Sequence, residues 1–266
     1  MFPKIISHGD FFLPTYGLMV ALAFLAALWI IGRLAREKGL NKEKVLNLGI
    51  YCAVSGMLGG KLAMFLFDWK IYAENPSLIF SRETLQAMGV YQGGLILALL
   101  VAVWYMRREH LPALTTSDVF APGLALGHGI GRIGCFAAGC CWGQECSRPW
   151  AVTFTNPDAH QLTGVPLNVP LHPTQIYESI AEFVIFGILY WRFHRAHRPG
   201  SIIGLYMVLY SIVRFLVEFV RNHEQALPFG GILSITQYIS IATFLIGIWM
   251  YMRGQRSVAP VPVPAR

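Results

Sequence analysis

Seven stretches of the chain are almost continuously apolar and are separated by short polar segments. Each is long enough, at roughly 17–25 residues, to cross the hydrocarbon core of a membrane as a helix. The pattern predicts helices over residues 16–34, 45–67, 90–106, 118–138, 174–191, 202–220 and 235–252. Glycines interrupt the fourth stretch and weaken it as a helix. The pattern therefore predicts an all-α integral membrane protein with about seven transmembrane helices.

The segments between the predicted helices are short, which predicts a single membrane domain over residues 1–266. The longest of them, residues 143–170, contains a β-like run at 151–155 followed by the turn-forming sequence Asn156-Pro157-Asp158. Residues 254–266 are rich in proline and are expected to form an unstructured tail. No cleavable signal peptide is expected, because Lys4 is the only basic residue among the first 15 and no small-residue cleavage site follows the first apolar run.

The composition supports a membrane protein. Of the 266 residues, 55% are hydrophobic and only 13% are charged, whereas ordinary globular chains carry about 25% charged residues. The formal net charge is +7. Because lysine and arginine mark the cytoplasmic face of membrane proteins, this charge needs no nucleic-acid partner to explain it. The same charge would attract anionic lipid headgroups.

The positions of lysine and arginine predict which ends of the helices face the cytoplasm. Thirteen of them lie in segments that the alternation of spans places on one side: Arg33, Arg36, Lys38, Lys42, Lys44, Arg107, Arg108, Arg192, Arg195, Arg198, Arg253, Arg256 and Arg266. Five lie on the other side: Lys4, Lys70, Arg82, Arg148 and Arg221. We therefore expect the amino terminus and residues 143–170 outside, and the carboxyl-terminal tail in the cytoplasm.

One segment, from His128 to Gly143, places Arg132 inside an apolar stretch that contains five glycines. A guanidinium group at bilayer depth costs at least a few kcal/mol unless an anionic or polar group meets it. Gly131 and Gly134 leave the backbone free to approach a ligand closely. This combination favours a binding site for an anionic headgroup.

A second group of charges within the predicted spans consists of Arg214, Glu218 and Arg221. Their spacings of four and three residues predict that they line one helix face. One interpretation is a structural ion pair between Arg214 and Glu218. The other is a phosphate site, since two intramembrane arginines and one glutamate leave positive charge in excess and guanidinium groups bind phosphate bidentately.

Three further polar elements lie at predicted outer ends of helices. They contain Tyr16; Gln92, Gly93 and Gly94; and His172, Gln175 and Tyr177. In the third element, Thr174 as an N-cap and Glu178 as a first-turn carboxylate would be explained by helix capping alone, but capping leaves its other polar residues unexplained. Because all three elements and Arg132 lie toward the same side, we expect one outward-facing site.

Four of the five cysteines, Cys135, Cys140, Cys141 and Cys146, lie close together after the arginine segment. Their C-x4-C-C-x4-C spacing matches no common zinc or redox motif, so no metal is assigned. Three interpretations stay open: a disulfide in an oxidising compartment, packing of thiols as small apolar groups, and catalysis or metal binding.

These elements, in this order, resemble the prolipoprotein diacylglyceryl transferase family. The most specific motif is Gly131-Arg132-Ile133-Gly134-x-Phe136. It is supported by His172-Pro173-Thr174-Gln175-x-Tyr177-Glu178 and by Arg214-Phe215-x-x-Glu218-x-x-Arg221. The resemblance covers nearly the whole chain, from Tyr16-Gly17 to Ser234-x-x-Gln237.

The resemblance implies an enzyme of the bacterial inner membrane, for which no cofactor or metal is expected. Its substrates would be phosphatidylglycerol, a membrane lipid, and the signal peptide of a prolipoprotein with a lipobox cysteine. The diacylglyceryl group would pass to the cysteine thiol and form a thioether, and glycerol 1-phosphate would leave.

The resemblance also implies roles for the residues named above. The catalytic candidates are Arg132, Arg214, His128 and Glu218, with the arginines stabilising the charge that develops on the leaving phosphate ester. The acceptor reacts as a thiolate, so a base or a positive field must remove its proton. The candidates for binding phosphatidylglycerol are Tyr16, Gln92, Gly93, Gly94, Gly131, Arg132, Gly134, His172, Gln175, Tyr177 and Arg221.

Two departures from the family pattern concern the base and the acceptor. Many members have His-Gly-Gly where this chain has Gln92-Gly93-Gly94, and glutamine cannot take up a proton at neutral pH. Members also commonly have Asn, Glu and Leu at the positions of Cys135, Cys140 and Cys141. His128 is then the candidate that supplies the missing imidazole, and a polar residue facing the cavity wall is the alternative.

Two other functions are compatible with the sequence. Gln92 motivates a paralogue that binds anionic lipid without catalysis or with a different specificity. Seven spans with internal arginines motivate a transporter of small anions, although no inverted repeat is seen and the polar residues lie on one side.

Overall fold

The computed structural model describes residues 2–8, 11–81, 84, 89–222 and 232–255. The helices of this part of the chain are α1 (Thr15–Glu37), α2 (Lys42–Phe67), α3 (Trp69–Glu74), α4 (Tyr91–Arg108), α5 (Ala113–Ala138), α6 (Pro157–Thr163), α7 (Thr174–Phe193), α8 (Ser201–Val217) and α9 (Ile235–Gln255). Short 3₁₀ turns cover Pro76–Phe80 and Glu218–Val220. The strands are β1 (Lys4–His8), β2 (Phe11–Pro14), β3 (Val152–Thr153) and β4 (Pro170–Leu171), paired antiparallel as β1–β2 and β3–β4.

All seven apolar stretches predicted to be helical are helical, as α1, α2, α4, α5, α7, α8 with its 3₁₀ extension, and α9. Among the described residues, four helices are long and apolar enough to cross a membrane: Thr15–Glu37, Lys42–Phe67, Ser201–Val220 and Ile235–Arg253. The mostly helical, membrane-spanning character is thus confirmed, while the count of seven crossings stays a prediction. The predicted tail begins inside α9, and its residues 256–266, like Arg82, lie outside the described residues.

The chain divides into two compact units, Met1–Ile31 with Ser117–Arg266, and Gly32–Thr116. In the second unit, α2 and α4 approach each other through glycines. A Cβ atom at Gly59 would lie only 2.6 Å from the carbonyl oxygen of Gly93 and 2.7 Å from Cβ of Leu97. A Cβ atom at Gly94 would lie 2.7 Å from the carbonyl oxygen of Gly56. The two backbones are therefore in direct contact, as small residues permit in membrane helix pairs.

In the first unit, glycines also allow close contact in two pairs of helices. A Cβ atom at Gly123 of α5 would lie 2.5 Å from Cγ1 of Ile31 in α1. In the pair α8 and α9, a Cβ atom at Gly204 would lie 3.0 Å from the carbonyl oxygen of Gly247. The buried carboxylate of Asp118 adds a polar connection, because it accepts hydrogen bonds from the first backbone N–H groups of α8. Negative charge at a helix N-terminus is favourable.

Residues 143–170 form a small packed region. The predicted β-like run is present in part, as β3, which pairs with β4. Asn156-Pro157-Asp158 begins the short helix α6 instead of forming only a turn: the side chain of Asn156 accepts from the N–H of Asp158 at 2.9 Å and caps the helix. Ala159 of α6 is buried in an apolar cluster with Phe154, Val165 and Leu171. Lys4 of the hairpin β1–β2 forms an ion pair with Asp158 at 2.8 Å.

The close contact between α2 and α4 predicts that one added methyl group lowers the stability of the protein. We expect Gly59→Ala to lower the free energy of unfolding by about 1–3 kcal/mol, because overpacking forces the two helices apart. Gly56→Ala is the matched control on the same helix, since its Cβ would lie 3.8 Å from the nearest atom, an ordinary contact. It should be neutral or slightly stabilising. Denaturant titration in detergent micelles, followed by circular dichroism, measures both, and equal stability of the two variants would contradict the packing.

Candidate active site

Two arginines and one glutamate meet inside the first unit. Arg132 of α5 and Arg214 of α8 both contact the carboxylate of Glu178 on α7. Nη2 of Arg132 lies 2.6 Å from Oε2, and Nη1 of Arg214 donates to Oε1 at 3.0 Å. The Glu178 side chain is 3% exposed, and the Arg132 and Arg214 side chains are 13% and 11% exposed. One carboxylate therefore bridges two largely desolvated guanidinium groups.

The network continues to the start of α9. Nη2 of Arg214 donates to Oε2 of Glu218 at 3.2 Å, and Oγ of Ser234 donates to Oε1 of Glu218 at 2.9 Å. Ser234 and Gln237 form a capping box, in which each side chain accepts from the other residue's backbone N–H. The structural ion pair between Arg214 and Glu218, one of the two interpretations of the sequence, is therefore present.

On the other side of Arg132 the network reaches a histidine. Nε of Arg132 donates to Nε2 of His128 at 3.1 Å, and Nδ1 of His128 lies 2.9 Å from Oε1 of Glu182. Because Nε2 accepts from the arginine, Nδ1 carries the proton and donates to Glu182. The carboxylate thereby fixes both the tautomer and the orientation of the imidazole ring.

Three pairs of residues four positions apart explain why these groups meet. His128 and Arg132 lie on one face of α5, and Glu178 and Glu182 lie on one face of α7. Arg214 forms the third pair with Glu218, which follows α8 directly. Residues at this spacing are neighbours on a helix surface. Three polar faces thus converge within one unit.

The structure overturns the argument from excess positive charge. In the sequence, two intramembrane arginines faced the single glutamate Glu218, but in the structure Glu178 and Glu182 also belong to the network. No bound anion is needed to balance the arginines. A phosphate would instead compete with Glu178 for them. Glu182 was missed altogether, although a glutamate four residues after Glu178 within an apolar stretch was a detectable signal.

The prediction that Arg221 shares a helix face with Arg214 and Glu218 is wrong. The α-helix ends at Val217, residues Glu218–Val220 form a 3₁₀ turn, and Arg221 has extended backbone. The tighter turn changes the angle per residue, and Arg221 pairs with Gly143 in an isolated β-bridge. Its guanidinium group nevertheless lies close enough to Cys141 to interact with it electrostatically.

The start of α7 anchors the segment that follows α5. Thr174 does not cap its own helix: its hydroxyl donates to the carbonyl oxygen of Cys141 at 2.7 Å. Nε2 of Gln175 donates to the carbonyl oxygen of Cys140 at 2.6 Å. Oε1 of Gln175 is buried and has no hydrogen-bond partner among the described residues. His172 contacts the hydroxyl of Tyr177 at 3.1 Å.

Tyr16, Gly131 and Gly134 lie next to this site. Gly134 packs against α1, because its Cβ would lie 2.8 Å from Cβ of Met19 and 3.6 Å from the ring of Tyr16. The Tyr16 hydroxyl is within electrostatic range of Arg132. A Cβ at Gly131 would meet no atom within 4 Å. A side chain at position 131 would therefore enter open space, whereas one at position 134 would meet α1.

Gln92, Gly93 and Gly94 belong to the other unit, near the start of α4. Within that unit the two glycines are explained by the close approach of α4 to α2: a Cβ at Gly93 would lie 2.2 Å from Cβ of Ala63. Their predicted part in lipid binding stays a prediction.

All five cysteines lie in the described part of the chain and are unpaired. The three sulfur atoms of Cys135, Cys140 and Cys141 lie within 4.8 Å of one another, whereas Cys146 is not part of this cluster. The neighbouring thiols of Cys135 and Cys140 lower the pKa of the Cys141 thiol, and the charges of Arg221 and Arg132 lower it further against the effect of burial. The Cys140 thiol donates to the carbonyl oxygen of Cys135 at 3.6 Å.

Comparison with known proteins identifies the family. A model of the family described as prolipoprotein diacylglyceryl transferase matches residues 3–253. The chain belongs to the prolipoprotein diacylglyceryl transferase family. It is 36% identical to the phosphatidylglycerol–prolipoprotein diacylglyceryl transferase of Clostridium tetani. The 238 aligned residues cover 89% of this chain and 91% of that protein. This chain is 33% identical over 261 residues to the enzyme of the same name from Vibrio atlanticus, covering 95% and 92%.

In this member of the prolipoprotein diacylglyceryl transferase family, the three motifs that carried the resemblance meet at the Glu178 carboxylate. The motifs around Arg132, Glu178 and Arg214 are far apart in sequence but adjacent in space. The resemblance found from the sequence is therefore confirmed at the level of the family, and the roles of the individual residues stay predictions.

The bridge at Glu178 predicts a loss of stability. We expect Glu178→Ala to lower the free energy of unfolding by about 3–5 kcal/mol, because it leaves two buried guanidinium groups without their shared partner. The control is Glu37→Ala, which removes a carboxylate from an exposed ion pair with Arg33 and should cost at most about 0.5 kcal/mol. Denaturant titration in micelles measures both. A Glu178→Ala protein as stable as Glu37→Ala would mean that the bridge does not hold the helices.

Proposed function

We propose that this chain transfers the diacylglyceryl group of phosphatidylglycerol to the thiol of a lipobox cysteine in prolipoprotein signal peptides. The observation that carries the proposal is the pair of buried guanidinium groups on one carboxylate, in a chain whose relatives are named for this reaction. The transfer forms a thioether and releases glycerol 1-phosphate.

The reaction balances with these two substrates alone. The acceptor thiol loses its proton to a base, and its sulfur attacks the glycerol carbon that carries the phosphate ester. The S–C bond forms while the C–O bond breaks. The electron pair of the broken bond stays on the phosphate oxygen, so negative charge grows on the leaving group in the transition state.

Arg132 and Arg214 are suited to stabilise that charge. Arg214 donates hydrogen bonds to Glu178 and Glu218, and Arg132 donates one to His128 and forms an ion pair with Glu178, so each guanidinium keeps further N–H donors out of its five for a phosphate. Charge stabilisation by prearranged donors in a site with little water is among the largest contributions to catalysis. We therefore assign both arginines to the leaving phosphate, with Glu218 holding Arg214 in place.

His128 is the proposed base. Its Nε2 accepts from Arg132 in the free protein, so binding of phosphate by Arg132 would release that nitrogen for a thiol proton. Glu182, at 2.9 Å from Nδ1, would stabilise the imidazolium ion that results. Proton uptake is thereby coupled to binding of the lipid headgroup.

Space for the lipid adjoins the arginines. Gly131 directly precedes Arg132 in sequence, and the open space beside it would admit the headgroup. Between α8 and α9 lies an apolar cavity of about 230 Å³, lined in part by Phe215, Ile241 and Phe244. Phe215 directly follows Arg214 in sequence, so we assign this cavity to an acyl chain. The remaining candidates for lipid binding, Tyr16, Gln92, Gly93, Gly94, Gly134, His172, Gln175, Tyr177 and Arg221, keep that proposed role.

The proposed location is the bacterial inner membrane, with seven crossings, the amino terminus outside and the carboxyl terminus in the cytoplasm. Two contacts support it because each joins segments that this topology places on the same side. The ion pair of Lys4 with Asp158 joins two predicted outer segments. Asp118, at the predicted cytoplasmic start of the fourth span, accepts from the N–H of Gly200 in the predicted cytoplasmic connection.

The role of the arginines predicts that Arg132→Ala and Arg214→Ala each lower the transfer rate at least about 100-fold, since each removes donors to the leaving group. Arg132→Lys should recover only part of the rate, because an ammonium group keeps the charge but not the bidentate geometry. Mass spectrometry of a lipobox peptide incubated with the reconstituted protein and phosphatidylglycerol vesicles measures the transfer.

Arg33→Ala is the control for this experiment, because Arg33 forms an exposed ion pair. It should leave the rate unchanged. Full activity of both site variants would contradict the assignment of the arginines. Wild-type protein that binds phosphatidylglycerol but adds no diacylglyceryl mass to the peptide would favour the non-catalytic paralogue instead.

The role of His128 predicts a separate effect. We expect His128→Gln to lower the transfer rate about 10²–10⁴-fold with little change in binding of phosphatidylglycerol, because a general base acts in the chemical step. Glu182→Gln should have a smaller effect of the same kind. His194→Gln, which removes an exposed histidine bound to its own helix at the carbonyl of Tyr190, is the control. Unchanged turnover of His128→Gln rules the base role out.

A further inference from the structure

The cluster of three thiols at Cys135, Cys140 and Cys141 has no part in the proposed transfer reaction. Cys135 lies in the last turn of α5, and Cys140 and Cys141 follow the end of that helix. Their sulfur atoms all lie within 4.8 Å of one another. The spacing of the cysteines in sequence matches no common metal motif, but the end of the helix folds the three sulfurs toward one point.

The backbone of this turn is held in place from outside. Thr174 and Gln175 are fully buried and donate to the carbonyl oxygens of Cys141 and Cys140 at 2.7 and 2.6 Å. Within the turn, the N–H of Cys140 donates to the carbonyl oxygen of Cys135 at 3.1 Å. The backbone that carries Cys140 and Cys141 is therefore held by the fold before any ligand binds, and such preorganisation is what a metal site requires.

The backbone at Cys141 is unusual for a residue with a side chain. Its φ is +61°, in the left-handed region that favours glycine. Such conformations cost of order 1–3 kcal/mol, persist only where the surrounding structure imposes them, and cluster at ligand clamps and active sites. The position two residues earlier, Gly139, also has positive φ, +80°, but there glycine meets the requirement without strain.

Neither packing nor a disulfide accounts for this arrangement as well as a metal does. Cys140 and Cys141 are only half-buried, so apolar packing gives little reason for three sulfurs to converge. A disulfide would use two of them and leave the third. A metal ion with three thiolate ligands at about 2.3 Å places the sulfurs about 4 Å apart, a separation that the observed cluster accommodates with little or no movement of the backbone.

We propose that Cys135, Cys140 and Cys141 form a binding site for one soft, thiophilic metal ion, with monovalent copper as the ion that three sulfur ligands suit best. Thiolate ligands select soft ions over magnesium, calcium or manganese. The guanidinium group of Arg221 lies within electrostatic range of Cys141, and its positive charge favours a thiolate–copper centre. This inference goes beyond the proposed transferase function and does not depend on it.

The test is an anaerobic titration of the purified, reduced, full-length protein in detergent with Cu(I), in competition with a chromogenic Cu(I) chelator. We expect one equivalent per chain and an ultraviolet sulfur-to-copper charge-transfer band. Cys140→Ser and Cys141→Ser should each weaken binding at least about 100-fold, because two sulfurs remain. Zn²⁺ in the same titration should bind more weakly than Cu(I). Cys52→Ser and Cys146→Ser are the matched controls and should keep wild-type affinity, since both thiols lie outside the cluster.

Three results would overturn the proposal. One is wild-type binding no tighter than that of the double variant Cys140→Ser, Cys141→Ser. Another is an equal loss of affinity in the Cys52→Ser or Cys146→Ser controls. The third is a fully formed disulfide within the cluster when the protein is isolated without reductant and analysed by peptide mass spectrometry. Thermal unfolding of each variant checks its fold, and the test uses the half-buried Cys140 and Cys141 because replacement of the buried Cys135 carries the greatest risk of misfolding.

Discussion

The bridge from Arg132 through Glu178 to Arg214 is the interaction on which the site depends. Its three members come from α5, α7 and α8, and all are largely removed from solvent. A lone charge at this depth is costly, and loss of one member of a buried ion pair leaves the others uncompensated. The three helices must therefore keep their relative rotation and depth. Both guanidinium groups are thereby held on the two oxygens of one carboxylate.

The same carboxylate shapes the proposed chemistry. A phosphate offers guanidinium groups the geometry that Glu178 already occupies, so the proposed lipid binding would exchange one anion for another. Such exchange avoids exposing unpaired arginines when no substrate is bound. It also connects the leaving-group side of the site to the base, because Arg132 contacts Glu178 with one nitrogen and His128 with another. A shift of Arg132 toward phosphate would break its hydrogen bond to the imidazole of His128.

Contacts between residues close together in sequence could be predicted from the sequence, and contacts between residues on different helices could not. The contact of Arg214 with Glu218 follows from a spacing of four residues, and the structure contains it. Glu178 was read as a first-turn carboxylate for the helix dipole, whereas its partners lie on two other helices. The partner of His128, Glu182, is 54 residues away in sequence. Arg221 was placed on a helix face, but a 3₁₀ turn moves it off that face.

The sequence by itself determined the helices, the membrane class and the family, because hydropathy and short-range spacing are properties of single segments and the motifs are contiguous. Only the tertiary structure decided which charges pair, why Gly93 and Gly94 lack side chains, and that three thiols with no recognisable spacing meet at one point. The physical reason is that contacts between helices depend on how each helix is rotated and how closely its neighbours approach. Those quantities are set by the packing of all helices in a unit together, and no single segment encodes them.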